Sequence, residues 1–153
     1  MGLWNRLFGR AAKTGDAFFG EMTFMEIPND PAQSYFECAR YFKPIDGVVE
    51  LGVTGQLSGP TRRQKDFFAQ LEDNYELIVA AVVLIIESKF RNWKPDFKIG
   101  NFEQEFKLVW LEIPACDQQP VEWEIAYETV HDLNHTLFIT MQGYQPLRIL
   151  IDG

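Results

Sequence analysis

The side chains whose types and spacing point to chemistry are a set of carboxylates, two histidines, three clustered cations and two cysteines. In Val121-Glu122-Trp123-Glu124-Ile125-Ala126-Tyr127-Glu128, charged and apolar positions alternate. Successive side chains of a strand point to opposite faces. Glu122, Glu124 and Glu128 therefore share one face, with Val121, Trp123, Ile125 and Tyr127 on the core side. A row of carboxylates is either a solvated strand face or a docking surface for a lysine- and arginine-rich partner, with Asp132 and Glu112 extending it.

His131 and His135 are the only histidines. On a helix this spacing would put both on one face beside Glu128 and Asp132 and suggest a metal site. The intervening Asp132-Leu133-Asn134 instead reads as a hairpin loop, where the spacing has no fixed geometry. Metal or acid–base chemistry at these histidines is the weaker reading, and no cofactor is expected. Arg62, Arg63 and Lys65 crowd the start of a helix, where an anion could be held. No phosphate-binding Gly-x-x-x-x-Gly-Lys-Ser/Thr loop accompanies them, so salt bridges to the protein's own acids are the expected use. Cys38 falls in a strand and should be packed, whereas Cys116, in Pro114-Ala115-Cys116-Asp117, is expected to be exposed. There is no Cys-x-x-Cys, Gly-x-Ser-x-Gly or His-Glu-x-x-His. These absences favour a non-enzymatic protein.

Charge separates the chain. Residues 1–102 carry 12 Lys/Arg against 13 Asp/Glu, and residues 103–153 carry 2 against 9. The acidic last third disfavours nucleic acid and anionic lipid as its partners and suits a basic protein.

The elements that must position these residues follow from periodicity. Leu3, Trp4, Leu7 and Phe8 at helical spacing, with Arg6, Arg10 and Lys13, make residues 1–15 a basic amphipathic arm, expected to be a terminal helix docked on the domain or a frayed tail, with weak membrane-surface contact as the less favoured reading. Residues 16–153 read as a single α+β domain. Strands are expected over 18–27, 34–42 and 48–55, then one long helix from Gly59 to Phe90, then strands over 104–113, 121–129, 136–142 and 147–151. Thr61 and Gln64 have capping-box spacing. Leu77–Ile86 is apolar throughout, too short for a membrane span, and must be covered on all sides. Phe67, Leu71, Tyr75, Ile78, Val82 and Ile85 form the stripe facing the sheet, and Trp93, Pro95, Phe97, Ile99 and Phe102 make the following loop a lid. The fold expected is thus a mostly antiparallel sheet, in the order β-β-β-α-β-β-β-β, packed on one long central helix. The spare apolar helix face and the arm leave self-association, a homodimer included, as the alternative function. No signal-peptide pattern is present, and the cytoplasm is the default location.

Leu7-Phe8-Gly9, Phe19-Gly20-Glu21, Gly59-Pro60-Thr61 with Gln64, and His135-Thr136-Leu137-Phe138 running on to Ile151-Asp152-Gly153 together resemble small bacterial α+β domains of unknown function. Some of these are similar to immunity proteins of polymorphic toxin and contact-dependent inhibition systems. The resemblance carries a class and no site residues. It implies a cytoplasmic protein that binds and blocks one cognate toxin, and many such toxins are basic nucleases.

Overall fold

Runs of Phe, Tyr, Val, Ile and Thr at alternate positions form strands, and the two apolar-striped segments between them form helices. A computed structural model describes residues 11–152. Its architecture is α+β with eight strands of a mostly antiparallel sheet: β1 (Ala11–Asp16), β2 (Gly20–Met25), β3 (Tyr35–Phe42), β4 (Gly47–Thr54), β5 (Phe106–Ile113), β6 (Glu122–Thr129), β7 (Asp132–Gln142) and β8 (Gln145–Asp152). Strand order follows chain order. The helices are α1 (Arg62–Asp73), α2 (Tyr75–Phe90) and the single turn α3 (Phe102–Glu105). The described residues cluster into two compact units. One comprises residues up to Glu72 with Leu111–Asp117, and the other Asp73–Trp110 with Gln118 onward.

Two expectations change here. Four strands, not three, precede the helices, because Ala11–Asp16 pairs antiparallel with β2. Its composition is poor for a strand, so tertiary pairing overrides propensity. Asp16 makes the turn: its Oδ2 accepts from the backbone N–H of Phe18 at 2.8 Å and of Phe19 at 2.9 Å. Gly20 supplies the positive φ of 80° that follows. β1 takes in residues 11–15 of the expected arm, and Lys13 meets Glu21 at 3.5 Å. Leu3, Trp4, Leu7 and Phe8 lie outside the described residues.

The one long helix is also two. Asn74, at φ −114° and ψ 15°, interrupts it. Asp73 and Asn74 are weak interior helix residues because their short polar side chains compete for the backbone. The Asn74 amide instead donates to the Tyr144 hydroxyl at 3.1 Å. Each unit thus has its own helix in place of one shared central rod.

In the first unit, Phe68 is fully buried and stands edge-on to Phe18, Phe19 and Phe42 at ring separations of 5.9, 6.0 and 5.6 Å. The Arg40 guanidinium lies over Phe18 and Phe68 at 4.2 and 4.4 Å, and its Nε donates to the Phe18 carbonyl. The capping box forms as its spacing predicts. Thr61 N–H donates to Gln64 Oε1 at 2.9 Å, and Gln64 N–H to Thr61 Oγ1 at 3.3 Å. The buried Gln64 amide also donates to the carbonyls of Thr54 and Pro114.

In the second unit, Trp123, Ile125 and Tyr127 of β6 and Leu137, Ile139 and Met141 of β7 form a fully buried inner face. α2 packs against β8 and buries Ile78, Val82 and Ile86, while the Tyr75 and Tyr127 hydroxyls meet at 2.8 Å. The stripe holds at Phe67, Leu71, Ile78 and Val82, and Tyr75 and Ile85 are half-buried. The apolar run of α2 is not covered on all sides, since Leu77 and Leu84 are 62% and 68% exposed. Nor is the aromatic loop a complete lid. Phe97 stacks on Phe90 at 4.7 Å and Ile99 N–H donates to Glu87, but Trp93 stays exposed.

Gln64→Leu keeps the volume but takes the amide donor from the Thr54 and Pro114 carbonyls and the acceptor from Thr61 N–H, so it should cost about 2–4 kcal/mol. Phe68→Ala, which opens a cavity in the aromatic cluster, should cost about 3–5 kcal/mol. Urea unfolding followed by far-ultraviolet circular dichroism measures both; a Gln64→Leu loss under about 0.5 kcal/mol would show the amide is not holding these segments.

Candidate protein-docking site

The acidic strand face exists, and it is not a plain row. Antiparallel register places Glu122, Glu124, Ala126 and Glu128 of β6 opposite Gln142, Thr140, Phe138 and Thr136 of β7. Thr140, Phe138 and Thr136 stand in turn opposite Arg148, Leu150 and Asp152 of β8. Ala126 is buried on this outer face and separates Glu128 from the other two glutamates. Glu122 is exposed and its Oε1 lies 3.6 Å from Arg148 Nη2. Glu124 is half-buried, and desolvation raises its pKa against the opposing pull of Arg148.

Val130 and His131 make a tight β6–β7 connection. β7 starts at Asp132, so Asp132-Leu133-Asn134 is strand, where a loop was expected. The pairing of Thr129 with Asp132 across an irregularity at Glu128/Thr129 lets polar residues extend the ladder to the turn. Glu105 anchors that turn. Its backbone carbonyl accepts from Val130 N–H at 3.1 Å and from the Thr129 hydroxyl at 3.0 Å. Its carboxylate accepts from the N–H groups of Gly100 and Asn101 and lies 2.7 Å from His131 Nε2. The Asn101 and His131 bonds lead in holding the Glu105 pKa below the usual range.

The two histidines have separate partners. The His131 ring packs edge-on to Phe97 at 5.0 Å and close to Phe106 at 5.9 Å. His135 Nδ1 lies 2.8 Å from each carboxylate oxygen of Asp132, and that bond is first among the causes lowering the Asp132 pKa. Among the described residues, no group of three or more His, Cys, Asp or Glu is arranged to hold a metal ion.

Between α3, the start of β5 and the β6–β7 turn lies a pocket of about 310 Å³, close to the lower end of ligand-site volumes. Four acidic residues, Glu103, Glu105, Glu128 and Asp132, are among those that line it, against Lys107 alone among lysines and arginines, and His135 also lines it. Leu133, which also lines the pocket, is 85% exposed, and Val130 beside it is exposed as well. Of the residues singled out in the sequence, the pocket gathers Glu128, Asp132 and His135. Glu122 and Glu124 stand further along β6. Glu112 is half-buried in the stretch of β5 that belongs to the first unit. Glu103 and Glu105 were missed; the only sequence signal for them is their place in Phe102-Glu103-Gln104-Glu105, directly before a strand.

The remaining candidates are occupied elsewhere. Arg62 pairs with Asp66 at 3.9 Å and Lys65 with Asp16 at 3.3 Å. Cys116 is buried rather than exposed, because its thiol turns in to donate to the Pro114 carbonyl at 3.1 Å. Burial pushes the Cys38 and Cys116 thiols up to about 11, far from a nucleophile's range. Comparison with protein-family models, with curated proteins and with solved structures finds no match in any of the three.

The raised pKa of Glu124 fixes the sign of a pH effect. A carboxyl whose folded pKa exceeds its unfolded value weakens the fold when ionised, and the penalty disappears as pH falls below the unfolded value of about 4.3. Glu124→Gln should therefore raise the thermal midpoint at neutral pH and leave it near wild type at pH about 3.5. Equal midpoints at neutral pH would show that the ionised group costs the fold nothing.

Proposed function

We propose that this chain is a non-enzymatic binding module of the immunity type, acting in the cytoplasm on a basic cognate partner such as a nuclease toxin. The observation that carries the reading is the acidic pocket at the β6–β7 turn, with four acidic residues among those lining it and an exposed leucine at its margin. A protruding arginine or lysine of the partner fits that charge, and apolar contact with Leu133 and Val130 supplies the desolvated centre that charge alone lacks. Glu122 and Glu124 extend the negative field along β6 and steer the approach. Glu112, in the other unit, is not needed for this site. Among the described residues no helix is long and apolar enough to cross a membrane.

The test uses a fluorescent arginine-rich peptide and its anisotropy on titration with the full chain, at low and at physiological salt. Glu103→Lys with Glu128→Lys, both exposed positions, should weaken binding on the order of tenfold or more, and salt should weaken wild type steeply. Glu21→Lys with Asp66→Lys, the same charge change in the first unit, is the control and should matter little. Equal loss in the control would reduce the effect to net charge and overturn the pocket.

A further inference from the structure

β8 is the last strand in the sheet order, so its outer edge has no strand neighbour among the described residues. It spans eight residues, Gln145–Asp152, and none of them is buried. Edge strands are usually blunted by lysine, proline or a bulge along their length. Here Pro146 and the Thr140/Met141 irregularity, which leaves Leu147 without a ladder partner, fall at the start of the strand, and Arg148–Asp152 is regular. Leu150 is 61% exposed on the outer face, and Ile149 and Ile151, which face the core side, are only half covered. We propose that β8 pairs antiparallel with β8 of a second copy across a two-fold axis at Leu150, making a homodimer with a sheet continuous through the seam.

The occupant follows from the sequence of the strand. A two-fold axis perpendicular to the sheet keeps both faces in common, so a residue can only oppose one of the same face. Centring on Arg148 sets two guanidinium groups against each other, and centring on Ile149 sets Arg148 against Leu150. Centring on Leu150 opposes Arg148 to Asp152 twice, Ile149 to Ile151 twice, and Leu150 to itself. Opposite charges and paired aliphatics across strands are each favourable. A foreign strand would have to reproduce this order, whereas a second copy carries it by symmetry. The same operation puts the α2 helices of both copies on one side of the extended sheet, next to the seam, because α2 packs on β8. That offers cover to Leu77 and Leu84, which the monomer leaves in water.

This proposal does not rest on the acidic pocket, none of whose lining residues belongs to β8. Sedimentation equilibrium of the full chain over a concentration series should show a reversible dimer. Arg148→Asp should give a monomer, and Arg148→Asp with Asp152→Arg should restore the dimer, with circular dichroism showing all three folded. Leu150→Cys should form a disulfide-linked dimer on oxidation, since the opposed positions lie within bridging distance. Leu147→Cys, which does not face its own copy, should not. A wild-type monomer at every concentration, a dimer indifferent to Arg148→Asp, or equal cross-linking at both cysteines would overturn the pairing.

Discussion

Each strand has one face committed to the core, because a two-residue period leaves no choice once Phe36, Leu51, Ile125 and Ile139 must leave water. In β6 the consequence is strict. Trp123, Ile125 and Tyr127 are each worth about 1.5–3 kcal/mol of burial, and a slip of one residue would exchange them for two glutamates and Ala126. The acidic face is thus fixed by what lies behind it. Glu124 is carried on that face into a half-desolvated position, a cost that the inner face outweighs.

Polar groups then set where the elements stop. Gln64 and Glu105 play matching parts in the two units, each answering several backbone groups that would otherwise lack partners. Glu105 binds the Gly100–Asn101 segment through its carboxylate and the β6–β7 turn through its carbonyl, with His131 packed against the aromatic cluster. The histidine whose spacing hinted at a metal is part of this brace. Glu105 shapes the acidic pocket while being occupied in holding it, which leaves Glu103 and Glu128 as the exposed carboxylates there.

Where local pattern and tertiary demand agree, the sequence was legible. The alternation of β6 and the Thr61–Gln64 spacing both give the observed geometry because each is decided within a few residues. β1 was not legible, since Ala11–Asp16 has no strand pattern of its own and becomes a strand only opposite β2. The break at Asn74 was hidden by an apolar stripe that runs through it with no proline or glycine to mark it. Asp132-Leu133-Asn134 looked like a loop because its residues favour turns, yet pairing across the irregular Thr129–Asp132 register holds it in β7. The pocket was half visible, since Glu128 and Asp132 are near in sequence while Glu103 comes from a segment 25 residues earlier. Such long-range meetings are set by strand order, which periodicity does not encode.

The acidic pocket and the open edge both belong to the second unit, and their arrangement ties them together. In the register of the sheet, Glu128 stands opposite Thr136 and Thr136 opposite Asp152, so the pocket lies toward the Asp152 end of β8. Pairing about Leu150 joins two such sheets with their outer faces on the same side. From the β6 of one copy to that of the other is five strand spacings, roughly 24 Å. The pockets would stand further apart than this, because the two-fold at Leu150 sends the Asp152 ends of the strands in opposite directions, and on the proposed continuous face they would offer two sites to basic segments of a single partner or of a symmetric one. The second contact is then intramolecular and strengthens binding without any new chemistry at either pocket. The proposed pairing of β8 with its own copy and the proposed docking of a basic partner would thus reinforce each other: the pairing would close the edge and present the negative field twice.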